Sequence, residues 1–168
     1  QLIADGDIKG KLGEFTMIHS FGKLPSKRVV VAGLGKAAEF NQDKVRRVAA
    51  ETARYLRSHG CQRAATIVHG AGIGGLDPSL AAQALAEGTL MGLYAFRRHK
   101  AKKKDDDPDM HELLVVEFEA RKAQALDRGL RRGTILAAAT NLCRDLANES
   151  SNNMTPTDLA AQAQAVAA

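Results

Sequence analysis

Apolar positions recur along the chain with two periods, and the two alternate. Gly13 to His19 (GEFTMIH) alternates apolar and polar side chains as a strand does. A loop through Lys23-Leu24-Pro25 leads to RVVVAG (residues 28–33), a β-branched run closed by GLGK, as expected of a buried strand and its exit turn. A helix follows. Asn41 suits its N-cap, Val45, Val48, Ala49, Thr52, Ala53 and Leu56 recur at helical spacing, and Gly60 stands just past its end.

Ala64 to Val68 (AATIV) reads as the next strand and runs into the glycine-rich HGAGIGG. A second helix opens at Asp77 or Pro78 and carries Leu80, Ala84, Leu85, Gly88, Leu90 and Met91. Glu112 to Phe118 (ELLVVEF) predicts another strand. From about Ala123 to Asn148 a long helix is expected, with Leu126, Leu130, Ile135, Ala138, Leu142 and Leu146 as its apolar face and Gly129 and Gly133 as weak points or close-packing sites. Strand-helix alternation predicts an α/β domain of three layers, α/β/α, with a mostly parallel or mixed sheet flanked by helices.

Size and composition fit that architecture: 168 residues, 45% of them hydrophobic, can bury the core of one domain. No stretch approaches the roughly 20 apolar residues of a membrane span. With Gln1 in place of an initiator Met and no apolar signal core, the chain reads as a soluble piece cut at both ends. Cys61 and Cys143 lie far apart and off metal-ligand spacing, which argues against a disulfide framework or a zinc knuckle and for a reducing cytoplasm. Both are expected to be small buried or half-buried side chains.

A formal charge of +5 favours an acidic contact, but its densest part is followed at once by acid. The run RRHKAKKKDDDPD (residues 97–109) reads as a solvated loop of partly neutralising charges. With aromatic residues at 4% of the chain, no stacking platform accompanies it for nucleic acid.

Gly70-Ala71-Gly72-Ile73-Gly74-Gly75 satisfies G-x-G-x-x-G between a predicted strand and a predicted helix. There, backbone N–H groups could approach a pyrophosphate, which makes Gly70, Gly72, Gly74 and Gly75 the candidate ligand-binding residues. The acidic residue expected about 20 positions on is missing, and Asp77 puts negative charge where a phosphate would sit. The competing reading is a turn that needs glycine for its backbone angles. His19, His59, His69, His99 and His111 form no H-x-x-x-H or H-E-x-x-H pattern and read as surface or partly buried side chains.

At the far end, RDLANESSNNMTPTDLA (residues 144–160) ends one helix, passes a turn-forming SSNN stretch and opens another, with Thr155 as N-cap, Pro156 in the first turn and Asp158 as the third-position acid. Leu159, Ala163 and Val166 give that helix an apolar face whose partner is expected elsewhere.

Several short stretches, in order, resemble one family. Ile8 to Glu14 (IKGKLGE), the Gly22 to Pro25 loop, Arg28 to Lys36 (RVVVAGLGK), Ala86-Glu87-Gly88 through Leu93-Tyr94-Ala95-Phe96, and Arg144 to Glu149 with Asn152 and Thr155-Pro156 resemble the amino-terminal domain and junction of the leucyl aminopeptidases, a metallopeptidase family. Ser150 departs from it, since the family usually has proline there, and the 70–75 loop is richer in glycine.

The resemblance implies residues 1–150 as an N-terminal domain of macro-type fold, and residues 151–168 as the junction and first helix of a C-terminal catalytic domain. It implies a cytoplasmic metalloaminopeptidase, usually a homo-hexamer, that removes N-terminal residues such as leucine using two divalent ions, zinc or manganese. The present residues would be catalytically silent and would serve assembly and access to the active site. No catalytic or metal residue carries over. DNA contact is known among bacterial relatives, and an ADP-ribose-like nucleotide at the glycine loop is the alternative function.

Overall fold

The computed structural model describes residues 2–72, 74–99 and 109–167. Its elements run β1 (Phe15–His19), β2 (Arg28–Ala32), a 3-10 turn (Ala37–Glu39), α1 (Gln42–Ser58), β3 (Arg63–Thr66), α2 (Pro78–Gly92), β4 (Glu112–Val115), α3 (Ala120–Asn148) and α4 (Pro156–Ala167). The fold is mixed α/β. Among the described residues β1 pairs with β2 antiparallel, from Phe15 opposite Ala32 to His19 opposite Arg28. β3 pairs with β4 in parallel, from Arg63 opposite Glu112 to Thr66 opposite Val115.

Helices α1 and α2 start where their capping side chains dictate. The Asn41 side chain accepts from Lys44 N–H at 3.0 Å, and the Asp77 carboxylate accepts from Leu80 N–H at 3.0 Å with Pro78 in the first turn. Gly60, at φ +67°, turns the chain out of α1 towards β3. Val45, Val48, Ala49 and Ala53 form the buried side of α1. Phe15 stacks on Tyr55 with ring centroids 5.1 Å apart, which fastens the β1–β2 hairpin to that helix.

Helix α2 lies between α1 and α3, and glycine sets the distance on both sides. A Cβ on Gly88 would come within 2.1 Å of the Arg46 carbonyl oxygen on α1, and one on Gly129 of α3 within 2.0 Å of the Ser79 carbonyl oxygen on α2. Gly92 and Gly133 make the same close approach one turn on. The core is accordingly built of small residues, with Val45, Ala49, Ala81, Ala82, Leu85 and Leu126 at its centre.

Three expectations are corrected. The buried stripe of α3 runs through Leu126, Gly129, Gly133 and Ala137, whereas Ile135 is 69% exposed and Ala138 is exposed as well. Backbone-to-backbone approach through the glycines turns α3 away from the face its largest side chains suggest. The strand after residue 112 stops at Val115, because the Glu117 carboxylate accepts from the N–H groups of Phe118 and Glu119 and bends the chain into α3. Cys61 is buried as expected, but Cys143 is exposed; both are free.

Candidate functional site

Two of the stretches that carry the family resemblance meet in space. The segment leaving α2 (residues 93–99) lies along the last turns of α3 and is held there by a polar clasp. Tyr94 Oη donates to Asp145 Oδ1 at 2.9 Å and accepts from Asn148 Nδ2 at 3.1 Å, while the Arg144 guanidinium lies over the Tyr94 ring, 5.4 Å from its centroid. Arg144 also donates to the Met91 carbonyl at 3.1 Å, and Asn141 to the Leu90 carbonyl at 3.3 Å, which satisfies acceptors at the C-terminus of α2.

Glu149 closes the clasp. Its side chain is only 3% exposed and receives Arg98 Nη1 at 3.1 Å on one oxygen and His99 Nε2 on the other. The His99 hydrogen bond holds its carboxyl below the usual carboxylate range against the opposing effect of burial, with Arg98 adding to the same direction. Burial pushes the Tyr94 phenol up, and Asp145 adds to that while Asn148 opposes it.

After Glu149 the chain turns and opens α4 through a reciprocal cap. Thr155 N–H and Oγ1 donate to Asp158 Oδ2 at 3.0 and 2.6 Å, and Asp158 N–H donates back to Thr155 Oγ1 at 3.4 Å. No residue of α4 is buried; Leu159 is 50% and Val166 70% exposed. Sequence reading found the members of the clasp one by one. Their pairing across some fifty residues carried no local signal.

The glycine loop folds on itself. Gly70 and Gly75 have φ +84° and +67°. Leu76 N–H donates to the Gly70 carbonyl at 3.0 Å and Gly75 N–H to the Gly72 carbonyl at 3.3 Å. A Cβ on Gly70 would strike Phe40 and Leu76, and one on Gly74 would strike Gly70, whereas at Gly72 and Gly75 no atom of the described residues beyond their chain neighbours lies within 4 Å of an added Cβ. Ile73 lies outside the described residues. Next to the loop, burial lowers the His69 imidazole below its ordinary value.

Lys100 to Pro108, most of the charged run, also lies outside the described residues. Where the run re-emerges, Arg97 forks onto Asp109 at 2.7 and 3.0 Å. Another ion pair was not foreseen: Glu87, 6% exposed, binds Arg46 at 2.7 Å and Gln83 at 2.7 Å, and so ties α2 to α1. Among the described residues no three His, Cys, Asp or Glu side chains are grouped to hold a metal ion, so these residues do not fit a two-metal centre. None of the described helices is long and apolar enough to cross a membrane.

Residues 1–103 match the model of the cytosol aminopeptidase family, N-terminal domain. The chain belongs to this family. It is 33% identical to a probable cytosol aminopeptidase of Alkaliphilus metalliredigens over 167 residues, which is 99% of this chain and 33% of that protein. A probable cytosol aminopeptidase of Roseiflexus castenholzii is 34% identical over 166 residues, 99% of this chain and 34% of its own length.

Among solved structures, the bottromycin maturation enzyme BotP in complex with Mn superposes with TM-score 0.79 at 22% identity, over 98% of this chain and 32% of that one. A tomato leucine aminopeptidase variant gives 0.75 at 22% identity, over 98% and 31%. The chain thus spans about a third of the length of the cytosol aminopeptidases it matches.

Proposed function

We propose that residues 1–168 form the non-catalytic N-terminal domain, with the first helix of the next domain, of a two-metal cytosol aminopeptidase that releases N-terminal residues such as leucine from peptides. The observation that carries this reading is the clasp. Family-like residues on the exit from α2 (Tyr94) and at the end of α3 (Arg144, Asp145, Asn148, Glu149) converge to fix the point at which the chain leaves for α4. Helix α4, capped but without a buried residue, is then the start of the catalytic domain, and residues 151–168 are its junction.

On this reading zinc or manganese belongs to the catalytic domain, where two ions polarise the peptide carbonyl and activate water. This domain contributes assembly, a homo-hexamer in the cytoplasm, and the walls of the approach to the active site. Its fold is a macro-type three-layer sandwich, a reading supported by the presence of both parallel and antiparallel ladders beside three packed helices.

The test is peptidase assay of the full-length parent and of residues 1–168 on a leucyl peptide. Activity in the metal-loaded parent that chelation removes, with none from residues 1–168, is the expected result. An inactive metal-loaded parent overturns it.

A second reading takes the loop at Gly70, Gly72, Gly74 and Gly75 as a nucleotide site. In its favour is the space left by the described residues around Gly72 and Gly75. Against it stand the internal bonds of the loop and the Asp77 carboxylate that already occupies the start of α2. Titration with ADP-ribose decides: heat that Gly72→Glu abolishes supports the site, and no heat removes it. DNA contact by the 97–104 run predicts an affinity that falls steeply with salt.

A further inference from the structure

Among the described residues two sheet edges stand open on the same groove. In the β1–β2 ladder the printed register and the bonds at its ends, Ser20 N–H to the Lys27 carbonyl and Gly33 N–H to the Glu14 carbonyl, assign Lys27, Val29, Val31 and Gly33 to pairing with β1. By alternation Arg28, Val30 and Ala32 direct N–H and C=O away from β1. In the β3–β4 ladder, Glu112 N–H donates to the Gln62 carbonyl and Val116 N–H to the Thr66 carbonyl, so Gln62, Ala64 and Thr66 serve β4 while Arg63 and Ala65 turn theirs outward.

Both outward sets line one cavity of about 970 Å³, floored by Ala53 and Leu56 of α1 and by Leu85 of α2. Thr52, whose hydroxyl is buried with no partner among the described residues, lines it too. Leu114 on its wall is 56% exposed.

We infer that this groove takes an extended, apolar β-strand supplied by the parent polypeptide outside residues 1–168, which joins β2 to β3 and makes one mixed sheet of the two ladders. A small molecule would leave both rows of backbone groups unpaired, and such edges are costly to bury and prone to pair with other chains. A strand satisfies both rows at once and lays its alternate side chains on the apolar floor formed by α1 and α2. The matched relatives are about three times as long as this chain, so the family reading, on which only the strand's source rests, supplies the polypeptide for it.

Amide hydrogen exchange on the full-length parent, with photo-methionine incorporated so that Met110 on the groove wall can cross-link, tests this. The N–H groups of Val30, Ala32 and Ala65 should exchange about as slowly as those of Val29, Val31 and Ala64, roughly 100-fold or more below an exposed loop amide. Met110 should link to its own chain outside residues 1–168. Fast exchange at those three amides, or a link to a second copy shown by mixing isotopically light and heavy chains, overturns the inference. Neither readout depends on whether the parent hydrolyses peptides, so its failure is distinct from failure of the aminopeptidase reading.

Discussion

The Tyr94 hydroxyl donates to the Asp145 carboxylate at 2.9 Å, joining residues fifty-one apart in the chain. The bond holds the strand-ward exit of α2 against the end of α3, and Asn148 donates into the same hydroxyl. Tyr94→Phe keeps the ring under the Arg144 guanidinium and removes both hydrogen bonds, leaving Asp145 without this donor. The expected result is a lower urea midpoint with an unchanged m-value. Equal midpoints for variant and parent would show that the clasp contributes nothing to stability.

Glu149 gives the clasp a pH dependence whose sign follows from its lowered carboxyl. A group held below its unfolded value, near 4.5, binds fewer protons when folded; its stabilisation is complete above that value and is lost as pH falls through the folded one. Glu39, Glu119 and Asp158 are lowered as well, so acid should weaken the fold through these carboxyls too. The difference between the parent and Glu149→Gln isolates the clasp. That difference should be largest at pH 6 and shrink below about pH 4.5, as followed by denaturant midpoints; a constant difference across the range would contradict it.

What could be read from sequence was local. Asn41, Asp77 and the Thr155–Asp158 box cap helices where expected, because each acts on N–H groups within three residues of itself. On α3 the burial of Leu126 and the close packing at Gly129 and Gly133 are legible in the sequence, but the rest of the buried stripe is not, for the opposite reason. The expected face includes Ile135 and Ala138, which are exposed, while the contact is made by the absence of side chains at Gly129 and Gly133, and the partner backbone that requires this lies some fifty residues upstream. The members of the clasp and the Arg46–Glu87 pair were visible as residue types, but their pairing depends on how α1, α2 and α3 stack, which no local period encodes.

The Arg46–Glu87 pair sets a stability prediction between α1 and α2. Glu87 is buried among small residues, and its carboxylate is matched by Arg46 and Gln83. Arg46→Met keeps most of the packing volume but leaves that carboxylate without its counter-charge. Because the Arg46 side chain is 33% exposed, the loss should be about 2–3 kcal/mol, below the roughly 3–5 of a fully buried pair. Glu87→Gln combined with Arg46→Met should recover part of it, since no bare charge remains. Thermal denaturation of the single and double variants measures both terms, and additive losses would mean that the pair is not coupled.

Two glycine substitutions should move stability in opposite directions. At Gly129 an added Cβ would lie 2.0 Å from the Ser79 carbonyl oxygen, a backbone atom that can yield only by moving α2. Gly129→Ala therefore gains helix propensity but forces α2 and α3 apart, for a net loss of about 1–3 kcal/mol. At Gly72 no atom of the described residues beyond its chain neighbours lies within 4 Å of the added Cβ and the backbone is not in the left-handed region, so Gly72→Ala should be neutral or stabilise by about 0.4–1 kcal/mol through the unfolded chain. Calorimetric unfolding of the two variants beside the parent gives both signs. A Gly72→Ala loss as large as that of Gly129→Ala would mean that the loop is packed against something absent from residues 1–168, and would reopen the case for an occupant there.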